Sequence, residues 1–182
     1  MSVKIRAEYI GTFRWIEVYL METIAGWIAS TPEMEAKVVL GRHVWQSAQN
    51  ADALGKRAFE LRKPLHYSVA PSTEYQAFLE RIRSIEAASD RLAGFYKGVL
   101  PGLVKKYQAY LAWTNPLMDE PSVIIIKNNL AGINRMVDEF NTFAASPDLG
   151  SFQNSLPSET DTYEAFLAAA TQAELIGDTA HS

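Results

Sequence analysis

The apolar positions of this chain fall into four long stretches, each with the three-and-four spacing of a helix that buries one face. The first covers residues 7–29, with Phe13, Leu20, Ile24 and Trp27 on one side. Ser30-Thr31-Pro32-Glu33 then reads as a stop and restart: a capping Thr, Pro at the first helical position and an acidic first turn. The second stretch continues to about Arg62. Residues 64–73, with two prolines, form a longer break. The third stretch covers 74–110, and Gly98 and the Pro101-Gly102 pair should kink or split it. Thr114-Asn115-Pro116 closes it. Asp119-Glu120-Pro121-Ser122 opens the fourth, whose stripe of Val123, Ile126, Leu130, Ile133, Val137 and Phe140 is entirely apolar. From Ser146 the chain is rich in Ser, Pro, Gly and Asp. A short helix is expected over 162–175, with Tyr163, Phe166 and Leu167 as a docking face. No repeat or strand pattern interrupts this. The pattern predicts an all-α protein: an antiparallel bundle of four helices over residues 1–146, its 64–73 connection crossing the length of the bundle, and a tail over 147–182.

One helix breaks the rule of an apolar inner face. From Ala36 the inward line of the second stretch runs Ala36, Leu40, His43, Ser47, Asn50, Leu54, Arg57, Leu61. A buried polar group without a partner costs about 1–3 kcal/mol, so four polar side chains on such a line need a reason. They imply a polar pocket inside the bundle, or a face less buried than its spacing suggests.

Composition narrows the chemistry. A chain of 182 residues with 48% hydrophobic content suits one domain with a sizeable core. The net charge is −4 with both signs scattered, which argues against nucleic acid, since phosphate binding needs clustered Lys and Arg. The chain has no cysteine, which removes disulfides, thiolate nucleophiles and Cys-ligated metals together. No apolar run approaches the roughly 18 residues of a membrane span. The N-terminus lacks the apolar block and cleavage site of a signal peptide. Cytoplasmic location is the expectation, and no membrane partner is expected.

Two helix pairs separated by a longer connection match the plan of ferritin-like bundles. His43-Val44-Trp45, followed by Arg57-Ala58-Phe59-Glu60-Leu61-Arg62, resembles the second helix of certain small bacterial ferritin-like proteins. Asp119-Glu120-Pro121-Ser122-Val123 resembles the opening of their fourth. The resemblance covers residues 10 to 145. It implies a carboxylate-bridged two-metal centre, with one Glu on each of two helices and Glu-x-x-His on each of the other two. This sequence lacks that set. The second-helix slot reads Ser47-Ala48-Gln49-Asn50, and the middle of the fourth helix reads Asn128-Asn129-Leu130-Ala131-Gly132-Ile133-Asn134. Neither Glu-x-x-His nor Asp-x-x-His occurs anywhere in the chain. The expectation is therefore a degenerate site that holds no metal and no other cofactor.

The candidate residues follow from these two readings. Glu17 lies on the first helix's apolar line, where the resembling family has its first Glu; the alternative is a flank position beside Ile16 that reaches solvent. His43 could be a ligand, an acid–base group or a hydrogen-bonded core histidine. Ser47 and Asn50 would hold a substrate oxygen. Arg57 would pair with a carboxylate or bind an anionic substrate. Glu86, with Asp90 near it, could add a carboxylate from the third helix or be a solvated flank. The aromatics Trp15, Trp27, Trp45, Tyr96 and Trp113 read as core or interface, and shared aromatics of this kind leave room for a homodimer.

Three function classes stay open. The preferred one is a metal-independent acid–base enzyme of cyclase, isomerase or lyase type. It would act on a small, partly apolar molecule, a role suited to specialised metabolism, with Glu17 and His43 as the proton-transfer pair. The second is an oxygenase with a reduced metal site around Glu17, His43 and Glu86. The third is a non-catalytic ligand-binding or accessory bundle.

Overall fold

The computed structural model describes residues 1–145. Every regular element among them is helical: α1 (Val3–Ser30), α2 (Met34–Glu60), α3 (Thr73–Arg83), α4 (Ala88–Ala93), α5 (Leu100–Trp113) and α6 (Glu120–Ala144). A π-helical stretch, Gly94–Val99, joins α4 to α5. The expected tail over 147–182, with its helix over 162–175 and docking face, lies outside the described residues. Among the described residues, no helix is long and apolar enough to cross a membrane.

α1 buries Ile10, Phe13, Glu17, Leu20, Ile24 and Trp27, the line its spacing predicts. Its end differs from expectation. The Thr31 hydroxyl donates to the Trp27 carbonyl at 2.8 Å and accepts from Arg91 at 3.0 Å. Thr31 therefore closes α1 instead of capping α2, which starts after Pro32 with Glu33 in the cap position. α2 ends at Glu60, and Arg62 just beyond its cap takes a left-handed φ of 65°. The Lys63 N–H turns back to the Ala58 carbonyl, and Pro64 prevents any continuation.

Side-chain contacts fix the helix directions. α1 and α2 run antiparallel, with Arg14 against Gly55 and Glu17 against Asn50. α2 and α6 do the same, with Arg57 on Ser122, Gln46 on Gly132 and His43 on Glu139. Tyr9 packs on Trp113 and Phe13 on Tyr107, so α5 opposes α1. Tyr96 stacks on Phe140 near the end of α6, while Tyr110 bonds Asp119 at its start.

The third stretch expected over 74–110, kinked or split at Gly98 and Pro101-Gly102, in fact breaks earlier. α3 ends at Arg83 and the chain reverses through 84–87. α3 lies parallel to α1, with Glu80 on Tyr19 and the Arg83 carbonyl on Trp27. The connection that crosses the molecule is thus 61–87, with α3 as its helical part. Neither Gly nor Pro marks the reversal. Tertiary partners hold its two sides: the Trp27 indole N–H reaches Arg83 at 3.4 Å, and Arg91 reaches Thr31. The irregularity expected near Gly98 and Pro101 takes the form of the π-helical stretch, with Pro101, which has no N–H, at the start of α5. Earlier in the crossover, the Val69 N–H donates to the Gly11 carbonyl at 3.1 Å. A Cβ on Gly11 would fall 2.7 Å from the Tyr67 ring, so only glycine lets the strap lie this close.

Candidate functional site

The polar ladder of α2 is fully inside: His43, Ser47, Asn50 and Arg57 are each no more than 8% exposed. It does not line one pocket. It serves three separate polar layers, stacked along the helix.

The middle layer centres on Glu17, which is 1% exposed. Its Oε1 accepts from Asn50 Nδ2 at 3.0 Å and from the Tyr107 hydroxyl at 2.7 Å. Among the described residues Oε2 has no partner in full hydrogen-bond geometry. Burial pushes the carboxyl up to about 7, against the opposing pull of Tyr107, Asn50 and the nearby Ser47 hydroxyl. Near neutral pH this carboxyl is thus poised between its two states, and a proton belongs on Oε2, since Oε1 already accepts twice. Ser47 Oγ, the Tyr75 hydroxyl and Asn129 Nδ2 also have no partner in full hydrogen-bond geometry among the described residues. Tyr75 and Tyr107 both feel the Glu17 charge, which adds to burial in raising their pKa. Asn129 lies against Tyr107 and pulls the other way on that phenol. Polar groups of α1, α2 and α5 thus bond at this point, with Asn129 of α6 against Tyr107 and Tyr75 of α3 within reach of the Glu17 charge.

The upper layer holds His43. Its Nε2 meets Glu139 at 2.9 Å and its Nδ1 meets the Tyr96 hydroxyl at 2.5 Å. A carboxylate can only accept, so Nε2 carries the proton and Tyr96 donates to Nδ1. Burial lowers the His43 pKa, and the bond to Glu139 only partly offsets this. The imidazole is therefore neutral. Burial works against the charge on Glu139, but the bonds from Arg42 and His43 prevail and hold its carboxyl below the ordinary range. Beside this layer Ala36, Val39, Leu40, Leu92, Tyr96, Phe140 and Phe143 line a shallow apolar dimple.

The lower layer joins Arg57 to Asp119. Asp119 accepts from the Tyr110 hydroxyl at 2.6 Å, from Thr114 at 2.9 Å and from Arg57 Nη2 at 3.2 Å. Arg57 Nε also donates to Ser122 at 2.7 Å, and Nη1 to Glu60 at 2.9 Å. Burial would raise the Asp119 pKa, but hydrogen bonds from Ser122, Tyr110, Thr114 and Arg57 hold it below its ordinary value.

Several expectations change. Glu17, Ser47 and Asn50 do share one centre. His43 is not part of it: its carboxylate is Glu139, and seven residues of α2 separate it from Asn50, about 10 Å along the axis. The Glu17–His43 proton-transfer pair is therefore corrected. Arg57 gives three N–H groups to Asp119, Ser122 and Glu60, the carboxylate pairing that was one of its two expected roles. Glu86 is exposed in the 84–87 reversal, because the helix meant to carry it inward ends at Arg83. Of the aromatics, Trp27 and Tyr96 are core, while Trp45 and Trp113 are more than half exposed.

Other members of the centres were missed. Asn129 falls on the inner line Ser122, Ile126, Asn129, Ile133, Met136, Phe140, all buried, one step from the apolar line chosen by hydropathy. Tyr107 lies on the line Leu92, Tyr96, Val99, Leu103, Tyr107, Tyr110, which spacing alone would flag as core. Nothing local marks Glu139 or Asp119 as partners.

The donor set does not fit a two-metal centre. Ser47, Asn50 and Asn129 offer neutral oxygens and amides, and Gly132 offers nothing, where carboxylates and imidazoles are needed. Among the described residues no three His, Asp or Glu side chains gather to hold a metal. No protein-family model matches the chain, and neither curated proteins nor solved structures give a significant match.

Proposed function

We propose that this chain is a four-helix bundle of ferritin-like layout whose metal-binding positions are replaced by a proton-holding polar centre. On this reading it is a metal-independent acid–base enzyme for a small, partly apolar molecule. The layout is supported by the pairwise antiparallel contacts of α1, α2, α6 and the α4–α5 unit, and by the long crossover. The two segments that carry the resemblance also meet, through the Arg57–Asp119 pair.

One observation carries the function: Glu17, at about 7, sits near polar atoms of Ser47, Tyr75 and Asn129 that have no partner in full hydrogen-bond geometry among the described residues. A carboxyl poised near neutrality in a dry site can both take and return a proton. Asn50 and Tyr107 hold Oε1 and so aim Oε2. Ser47, Tyr75 and Asn129 supply hydrogen bonds for a substrate oxygen as charge develops there. Such a centre suits isomerisation, elimination, cyclisation or addition.

The test uses 5-nitrobenzisoxazole, a small apolar probe that needs only a base. Glu17 takes the C–H proton, that electron pair forms the nitrile, and the N–O bond breaks to give a phenolate. Turnover should rise with pH to a plateau above about 7. Glu17→Gln should lower it by about 100-fold or more. A folded protein with no turnover above buffer would favour the accessory-bundle reading. Two metals per chain by elemental analysis would favour the oxygenase reading and overturn this one.

A further inference from the structure

Beside the middle layer, a side chain of α2 lies directly on the backbone of α6. A Cβ on Gly132 would fall 2.7 Å from Gln46 Nε2 and 2.8 Å from its Cδ. Glycine is what lets the Gln46 side chain lie across α6 at that point. From this seat Gln46 Nε2 donates to Asn50 Oδ1 at 2.9 Å, and its Oε1 accepts from Arg135 at 3.4 Å. Asn50 in turn donates to Glu17. A single file of hydrogen bonds thus runs from exposed Arg135, through half-buried Gln46, to the sealed carboxyl.

We infer that Gln46 is the stopper on a route between α2 and α6 by which a small molecule reaches Glu17, with Gly132 as the seat that lets it close. The inference rests on the reading of Glu17 as the working group. Gln46 is a flexible side chain whose outer bond goes to an exposed arginine, so it can swing outward without moving a helix. With the side chain gone, Gly132 has no side chain to fill the gap. The passage then opens onto Asn50, whose amide already touches Glu17. Gln46 is a positioning and access residue, and needs no contact with a reacting atom.

Carboxyl modification of the full chain tests this without relying on turnover. A water-soluble carbodiimide with glycine ethyl ester converts a reachable carboxyl to an amide, read by peptide mass. Exposed Glu22 serves as the internal reference. Gln46→Ala should speed labelling of Glu17 by about 10-fold or more relative to Glu22, since the path no longer waits on a local opening. Gly132→Ala, which pushes Gln46 off its seat, should speed it less. Gln46→Met, an unbranched chain of similar length, should restore the wild-type rate. All rates are taken where circular dichroism shows each variant folded. Wild-type labelling in both Gln46→Ala and Gly132→Ala would overturn the route. Fast labelling in Gln46→Met would overturn it too, because the bond to Asn50 would then matter and not the plug. If the benzisoxazole is not turned over but these rates behave as expected, the route stands and the acid–base reading falls.

Discussion

Asp119 in the lower layer and Glu17 in the middle layer are carboxylates equally removed from solvent, at 0% and 1% exposure, yet burial ends differently for each. Asp119 faces the Arg57 guanidinium, with that of Arg6 at 4.0 Å, and three hydroxyl groups; the hydrogen bonds from Arg57 and the hydroxyls outweigh the desolvation that would neutralise it. Glu17 has two full hydrogen bonds, both to one oxygen, and no bonded cation. Desolvation prevails, and its pKa climbs to about 7. The number and charge of the donors decide whether a sealed carboxylate is a fixed anchor or a group free to exchange a proton. The anchor ties the start of α6 to α2. The exchangeable group stands where polar groups of α1, α2 and α5 bond.

Removing the anchor's cation should have the largest effect. Arg57→Met leaves Asp119 buried without its main counter-charge and should cost about 3–5 kcal/mol in urea unfolding. A cost below about 1 kcal/mol would show that the hydroxyl groups suffice, and the comparison would lose its electrostatic basis.

The next test concerns the opposite pH slopes of the two groups. Glu17's pKa is raised, so its proton stabilises the fold fully below about 4.5, and that stability is lost as pH rises through about 7. Asp119 is lowered, so its contribution is present above its unfolded value of 3.8 and is lost on acidification. His43, also lowered, loses stability as pH falls below 6.5 and opposes Glu17 within the same window. The difference between the wild type and Glu17→Gln cancels that term. The variant should gain about 3 kcal/mol on the wild type between pH 4.5 and 8, from the shift of Glu17 to about 7. A flat difference would mean that Glu17 is solvated.

The smallest effect tests the separation of the layers. His43→Ala strands the buried Tyr96 hydroxyl and should cost about 1–3 kcal/mol. The carboxyl of Glu17, followed by carbon-13 NMR, should still titrate near 7. A shift of a full unit would rejoin His43 and Glu17 into one site.

The polar ladder was legible because it breaks a pattern: four polar residues at inward spacing on an otherwise apolar line must be answered by something inside. The partners that answer them were not. His43 and Glu139 are 96 residues apart, Arg57 and Asp119 are 62 apart, and Glu17 and Tyr107 are 90 apart. Glu139 sits one residue before buried Phe140 and reads locally as a solvated flank. Tyr107 reads as core because its ring is core; only its hydroxyl belongs to the site.

Taken by itself, the sequence determined that the chain is helical and set the inner faces of α1 and α2. The helix repeat is local, so residues three and four apart share a side whatever lies opposite. It put Ser47 and Asn50 inside for the same reason, and left Glu17 open between that line and a flank beside Ile16. The tertiary structure decided the rest. It reversed the chain at 84–87, where no residue breaks a helix, because Trp27 and Thr31 at the end of α1 hold the two sides of the turn. It gave His43 to Glu139 and withheld it from Glu17, because α6 runs antiparallel to α2 and brings its last turns to that level. The proton on Glu17 follows from the same arrangement, since only the packing of the helices sets how much water, how many donors and which cations a buried carboxyl meets.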